Sequence, residues 1–293
     1  MKKFLIIGAI ALALIMPIAG STTSISSQNT KKTIINSISN DEFTHTVLAE
    51  YVTLTTCPYC VTASEQLHSI YESGDLDFHY VSLVWDANAL EVGSRCKELE
   101  ATSAPDVYFD GGYRNILGAQ PSEQQYRDAI AQSGIRELPD IDVDVDVTWT
   151  GGGVLKIAVT VTNNEAEDFN GHLRTYIVEK DSRWNKVNGG PYNNAVLDIP
   201  IDRNLAVVSQ QNQPQPLGDT YTFTRTWFGI LHGFGDITQD NIMVIAAVFD
   251  ADTDYVVQTA SAEPTSNSDI RIFNQNSIFP LFFQILQRLL NTR

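Results

Sequence analysis

The stretch TVLAEYVTLTTCPYCVTASEQLHSIYES, residues 46–73, decides how the fold is interpreted. Its first part, residues 47–52, is apolar except for Glu50 and predicts a buried strand, and from Pro58 the apolar residues recur at helical spacing. Cys57 and Cys60 lie where the predicted helix begins. The sequence therefore predicts a strand, a CxxC pair and a helix in direct succession.

The position of the two cysteines favours redox chemistry. The free N–H groups and the positive dipole end of a helix start stabilise a thiolate on Cys57, and Pro58 stands where its missing N–H has no cost. Cys60 lies almost one turn further on, close enough to attack a mixed disulfide at Cys57 and release the substrate. Cys57 is the candidate nucleophile and Cys60 the candidate resolving thiol.

Other uses of a CxxC pair compete with redox chemistry. A zinc site needs two more suitably spaced ligands, and haem attachment needs a histidine at position 61, where the chain has valine. The sequence therefore indicates no cofactor and no resident metal. Transient metal delivery through the two thiols is a further alternative. An inert structural disulfide also stays open, although a four-residue loop removes little chain entropy.

The elements around this unit predict two domains. Residues 43–137 follow the order β-α-β-α-β-β-α, in which Cys96 has helical spacing with Val92 and Leu99 and is expected to be a small buried apolar residue. From residue 141 to residue 149 apolar residues alternate with Asp and Thr, the period of a strand with one wet face. Further strand-like runs with Gly and Asn turns then predict an all-β, immunoglobulin-like sandwich over residues 139–263.

The first of these domains resembles the thioredoxin superfamily over residues 46–133. The resemblance rests on the strand entry at residues 47–50, the CPYC sequence at 57–60, the Ala104-Pro105 step and the turn at 110–112. It implies an α/β thioredoxin-like domain followed by the sandwich. It also implies that Pro105 is a cis proline that helps to dock substrate, with an ordinary helix stop as the alternative.

The resemblance further implies that Glu50 moves the proton of the second cysteine, although one extra residue separates Glu50 from Cys57. Thr56 and Asp106 stand where thioredoxins commonly have Trp and Thr, so substrate preference and redox potential do not carry over. The two-domain layout, with YIVE at 176–179 and YNNAVL at 192–197, also resembles the Omp28-related proteins of bacterial envelopes.

The two ends of the chain predict export and attachment. Residues 1–21 have the pattern of a signal peptide, with a retained membrane anchor as the alternative, and residues 22–42 are too polar to build a core and are expected to be a flexible linker. A second linker is predicted over 264–277, and 278–293 predicts an amphipathic helix that docks on a membrane surface or a partner protein, or packs on its own sandwich. Its apolar face consists of Phe279, Phe282, Phe283, Leu286, Leu289 and Leu290.

The net charge of −16 disfavours nucleic-acid binding, because such a surface repels phosphate. The expected location is extracytoplasmic, either secreted or associated with the cell envelope, where disulfides persist. The expected function is thiol–disulfide exchange on protein thiols, with an unidentified redox partner. The alternative is a non-catalytic envelope binding or adhesion protein in which residues 57–60 hold a structural disulfide.

Overall fold

The computed structural model describes residues 43–207 and 219–266. The predicted signal peptide, the linker at 22–42 and the amphipathic helix at 278–293 lie outside the described residues, as does most of the linker predicted at 264–277. Within the described ranges, no helix has the length and apolar character needed to cross a membrane.

The described chain first alternates strands with three helices and then continues through strands and short 3-10 turns. The first part contains β1 (Val47–Thr53), α1 (Pro58–Ser73), β2 (Phe78–Val84), α2 (Ala89–Glu98), β3 (Asp106–Phe109), β4 (Arg114–Leu117) and α3 (Gln124–Gly134). The second part contains β5 (Ile141–Trp149), β6 (Val154–Asn163), β7 (Phe169–Asn185), β8 (Pro191–Asp198), β9 (Asp202–Val207), β10 (Asp219–Phe228), β11 (Ile242–Asp250), β12 (Val256–Ala262) and β13 (Thr265–Ser266).

These strands form two sheets. One has nine strands in the order β12-β11-β7-β8-β2-β1-β3-β4, with β9 paired to β7, and the other has four in the order β10-β6-β5-β13. Strand β8 joins the two parts of the chain, because it pairs antiparallel with β7 and parallel with β2, where Ser82 lies opposite Ala195. The large sheet therefore runs without a break from the helical part of the chain into the β-rich part.

The expected fold class, an α/β thioredoxin-like domain followed by a separate immunoglobulin-like sandwich, is wrong. The described residues group into one compact unit that is mostly β, with one sheet shared by both halves of the chain. The physical reason lies at the outer edge of β2. A free strand edge exposes unpaired N–H and C=O groups, and β8 covers it.

Strand β11 shows how the two halves share a core. Its even-numbered residues from Ile242 to Val248 pack between the two sheets, against β5 and β6. Its odd-numbered residues from Met243 to Phe249 pack on the opposite face, with Leu48 of β1 and Val92 of α2. A strand covered on both faces requires an apolar side chain at nearly every position. Strand β11 therefore belongs to the core of both halves.

Helices α1 and α3 cover the other face of β1. Ala63, Leu67 and Ile70 of α1 and Tyr126 of α3 form a cluster with Tyr51 of β1 that is fully buried. The cluster also contains Cys60 and, from β8, Tyr192. The side of the sheet that carries the two cysteines is thus built by residues from both halves of the chain.

Candidate functional site

Cys57 and Cys60 are joined in a disulfide at the N-terminus of α1. Cys57 is the N-cap residue and Pro58 opens the helix, as their order in the sequence predicts. The N–H of Cys60 donates a hydrogen bond to Sγ of Cys57 at 3.1 Å. Cys57 keeps 8% of its surface exposed whereas Cys60 has none, so Cys57 is the less buried residue of the pair.

Pro105 lies beside this disulfide. The Ala104–Pro105 peptide bond is cis, and the carbonyl oxygen of Ala104 is 3.6 Å from Sγ of Cys57. On its other side, the carbonyl oxygen of Pro105 accepts a hydrogen bond from the N–H of Gly118 at 2.8 Å. The structure therefore brings together three of the four predicted site residues, namely Cys57, Cys60 and Pro105.

Glu50, the fourth predicted site residue, lies on the opposite face of the sheet. Along β1, Tyr51 points toward α1 and the cysteines, whereas Glu50 points toward α2, where Nε and Nη2 of Arg95 donate to its carboxylate at 2.7 and 2.6 Å. The hydroxyl of Tyr176 donates a third hydrogen bond at 2.6 Å. The structure therefore does not bring Glu50 together with Cys60.

The ion pair also fixes the charge of Glu50. Burial alone would raise the pKa of this carboxyl group, but Arg95, together with Arg174 and the hydroxyl of Tyr176, holds the pKa below its usual value. Burial alone would lower the pKa of Arg95, but the facing carboxylate of Glu50 raises it. The pair is a buried contact between β1 and α2, and it does not supply a proton carrier for the cysteines.

A group of hydroxyls beneath the disulfide was missed by the sequence analysis. The hydroxyl of Tyr51 donates a hydrogen bond to the carbonyl oxygen of Cys60 at 2.7 Å. The hydroxyl of Tyr192 donates one to the carbonyl oxygen of Leu54 at 2.9 Å. The hydroxyl of Thr53 lies 2.9 Å from both tyrosine oxygens. Burial raises the pKa of Tyr51 well above its usual value, so its phenol stays a hydrogen-bond donor.

The alternation of side chains along β1 could have identified Tyr51 and Thr53, because both share the face of Ala49 that looks toward α1. Tyr192 had no such signal. It reaches the site only through the pairing of β8 with β2, which no local pattern indicates.

The loop before Cys57 is also held from outside. Both carboxylate oxygens of Asp86, in the loop after β2, accept from the N–H of Thr55 at 2.9 and 3.0 Å. The hydroxyl of Thr55 donates a further bond at 2.6 Å. The segment between β1 and Cys57 is therefore fixed on one side by Asp86 and beneath by Tyr192.

Fold and site together define a protein that is mostly β in its described residues, with a CxxC disulfide at a helix N-terminus and a cis proline beside it. No protein-family profile matches the chain, and no curated protein matches it in sequence. Among solved structures, it is similar to an Agrobacterium tumefaciens protein at 13% identity and a TM-score of 0.45, which covers 75% of this chain and 95% of that one.

Two further likenesses are weaker. A domain of the outer membrane lipoprotein Omp28 from Porphyromonas gingivalis is similar at 12% identity and a TM-score of 0.23, over 45% of this chain and 96% of that chain. A calcium-binding mutant of Bacteroides uniformis β-glucuronidase 2 is similar at 14% identity and a TM-score of 0.24, over 41% of this chain and 12% of that chain. Membership of the thioredoxin superfamily stays a prediction.

Proposed function

We propose that this chain is an extracytoplasmic thiol–disulfide oxidoreductase that acts on protein thiols through Cys57 and Cys60. The observation that carries the proposal is the geometry of the disulfide. The sulfur at the helix N-terminus belongs to the less buried residue of the pair, and it accepts a hydrogen bond from the N–H of Cys60. The resemblance of residues 46–133 to the thioredoxin superfamily supports the same proposal.

The exchange proceeds in two balanced steps. A client thiolate attacks Sγ of Cys57, the bond to Cys60 breaks, and Cys60 leaves as a thiolate that takes up a proton. A second client thiolate then attacks the client sulfur of the mixed disulfide, and Cys57 leaves as a thiolate. Two electrons pass from the client to the protein, and the same steps in reverse reduce a client disulfide.

The chain supports these steps by stabilising charge on Cys57. When Cys57 is the leaving thiolate, the N–H of Cys60 and the N-terminus of α1 face its negative charge. Pro105, beside the same sulfur, is the proposed docking point for the client backbone. The balance between oxidation and reduction depends on the stability of this thiolate and on the redox partner.

The predicted signal peptide at residues 1–21 supports the proposed extracytoplasmic location. A disulfide persists outside the cytoplasm, so the closed Cys57–Cys60 bond fits the same location. The apolar face predicted for residues 278–293 is the proposed contact with a membrane surface or a partner protein.

Turnover and trapping test the proposal in the full chain. The wild-type protein is expected to catalyse the reduction of a model protein disulfide by dithiothreitol, and Cys57→Ser is expected to abolish this. The variant Cys60→Ser keeps the attacking sulfur but lacks the resolving one, so it is expected to accumulate a mixed disulfide with its client. Equal turnover by the wild type and Cys57→Ser would remove the proposal.

The alternative is a non-catalytic binding or adhesion protein with a permanent disulfide at residues 57–60. The small exposure of the pair favours it, since Cys57 is 8% exposed and Cys60 is not exposed at all. A redox titration separates the two functions. A potential far below about −300 mV, the range of structural disulfides in secreted proteins, favours the alternative, and a potential above that value favours exchange.

A further inference from the structure

Away from the cysteines, three metal-ligating side chains converge from three elements. Glu91 lies in the first turn of α2, Asp198 ends β8, and His232 ends the short 3-10 helix Gly229–His232. Each offers one ligand atom, and the three atoms lie within 4.8 Å of one another. The set combines two carboxylate oxygens with one imidazole nitrogen, so it differs from a purely acidic cluster.

The distances between these atoms suit a single ion. Nδ1 of His232 is 3.2 Å from Oδ2 of Asp198 and 3.7 Å from Oε1 of Glu91. In a tetrahedral zinc site with bonds of about 2.1 Å, neighbouring ligand atoms are about 3.4 Å apart. An ion can therefore contact these atoms with only small movements of the side chains.

Neighbouring groups hold two of the three ligands in place. Oδ2 of Asp198 accepts from Nε1 of Trp227 at 2.5 Å, and Oδ1 accepts from the N–H of Ile199 at 2.6 Å. The ring of Trp227 also stacks on the imidazole of His232, with centroids 5.7 Å apart and planes 25° apart. Hydrogen bonds that orient the ligands are a regular feature of metal sites, and here Trp227 contacts both ligands.

The backbone around the cluster is fixed as well. Nδ2 of Asn88, at the start of α2, donates to the carbonyl oxygens of Val196 and Leu197 in β8 at 2.8 and 3.0 Å. This contact sets the spacing between Glu91 and Asp198 independently of any ion. The side chains of Glu91 and His232 are 29% and 34% exposed, which leaves a path for an ion and for water to complete its coordination.

The charge of the cluster also favours a cation. In the described part of the chain, Glu91 and Asp198 share a single ion-pair partner, His232, and this side chain carries a charge only when it is protonated. Two carboxylates next to one imidazole therefore leave net negative charge, which a divalent ion compensates.

We propose that Glu91, Asp198 and His232 bind one divalent transition-metal ion, with Zn²⁺ as the representative. Nitrogen and oxygen donors together suit such ions, whereas Ca²⁺ and Mg²⁺ prefer oxygen ligands alone. The bound ion joins α2 to β8 and the 3-10 helix, so it fastens the helical half of the chain to the β-rich half. This proposal is independent of thiol–disulfide exchange.

Zinc titration by calorimetry tests the site in the full-length protein with its disulfide closed, so that Cys57 and Cys60 do not compete. We expect saturable binding of one Zn²⁺ per chain and at least a tenfold loss of affinity in His232→Ala and in Glu91→Gln. His172→Ala is the matched control, because His172 is 29% exposed and contacts the carboxylate of Asp202. Its affinity is expected to equal that of the wild type.

A thermal melt gives a second readout and reports whether each variant is folded. Zn²⁺ is expected to raise the Tm of the wild type and of His172→Ala and to leave that of His232→Ala unchanged. Absence of saturable binding to the wild type overturns the proposal. An affinity of His232→Ala and Glu91→Gln within twofold of the wild type overturns it as well, because the ion then binds elsewhere.

Discussion

The substitution Glu50→Gln tests whether the buried ion pair stabilises the protein or serves the cysteines. Glutamine has nearly the same shape as glutamate but carries no charge, so the change removes the compensation of Arg95 and leaves the packing in place. Glu50 has no exposed surface, and the Arg95 side chain is 9% exposed, so water cannot replace the lost partner.

The expected loss follows from the contacts. Glu50 accepts two hydrogen bonds from Arg95 and one from Tyr176. Removing one partner of a buried ion pair typically lowers the free energy of unfolding by about 3–5 kcal/mol. Arg95 keeps its ion pair with Glu98 at 3.2 Å, so we expect the lower end, about 3 kcal/mol.

The loss depends on pH in a definite direction. The pKa of Glu50 is lower in the folded protein than its ordinary value of 4.5. Its contribution to stability is therefore complete above about pH 4.5 and is lost as the pH falls through the folded-state pKa. The difference between the wild type and Glu50→Gln is expected to be constant from pH 8 to about pH 5 and to shrink in more acidic solution.

Urea unfolding followed by tryptophan fluorescence measures this difference at a series of pH values. Glu98→Gln is the matched control, because Glu98 contacts Arg95 and Arg174 but is 42% exposed, and its loss is expected to stay below about 1 kcal/mol. The rate at which Cys57 reacts with a disulfide is expected to be unchanged in Glu50→Gln. A loss below about 1 kcal/mol, or a slower thiol reaction with unchanged stability, would contradict the reasoning.

Three further results are expected. Burial raises the pKa of Cys96 to about 12, so this thiol should not react with Ellman's reagent in the folded, unreduced protein at pH 8. One thiol per chain should react when the same protein is unfolded in urea. A reactive thiol in the folded protein would count against the burial of Cys96. Tyr192→Phe removes the bond to Leu54 and should lower the free energy of unfolding by about 1–2 kcal/mol, measured by urea unfolding, and no loss would contradict it. Gly111→Ala should lower the free energy of unfolding by at least about 2 kcal/mol, because φ is +71° and a Cβ would lie 2.6 Å from a backbone oxygen. Gly118→Ala, where φ is +81° and the surrounding space is open, should lower the free energy of unfolding by less. Equal losses in the two variants would exclude the clash.

The local elements of the first half could be predicted because each has its own signal in the sequence. The apolar run at residues 47–52 and the helical spacing after Pro58 place the CxxC pair where β1 ends and α1 begins. Cys96 is confirmed as a buried free thiol, as its spacing with Val92 indicates. These signals involve residues that are close together in the chain, so they can be recognised without knowledge of the tertiary fold.

The continuous sheet could not be predicted in the same way, because the pairing of β8 with β2 joins Ala195 to Ser82, far apart in the sequence. One clue was present in β11. The run IMVIAAVF at residues 242–249 has no polar residue, whereas a sandwich strand with one wet face alternates. That run indicated a strand covered on both faces and therefore a second layer over the presumed outer side of the sandwich.

The same reasoning explains the position of Glu50. The resemblance placed an acid near the cysteines by its distance along the chain, but side chains on a strand alternate between faces. Tyr51 thus points toward Cys60, and Glu50 points toward Arg95. A shift of one residue along β1 moves a side chain to the other face of the sheet. The extra residue between Glu50 and Cys57 therefore indicated that Glu50 faces away from the cysteines.

The tyrosine that β8 contributes beneath the CxxC loop has a consequence for the order of events during synthesis. Tyr192 meets Thr53 across a separation of 139 residues, so a ribosome has translated about two-thirds of the chain before this contact can form. Such distant contacts form late, since the intervening chain must first be ordered. The segment that carries Cys57 and Cys60 is therefore synthesised well before the residue that supports it from below.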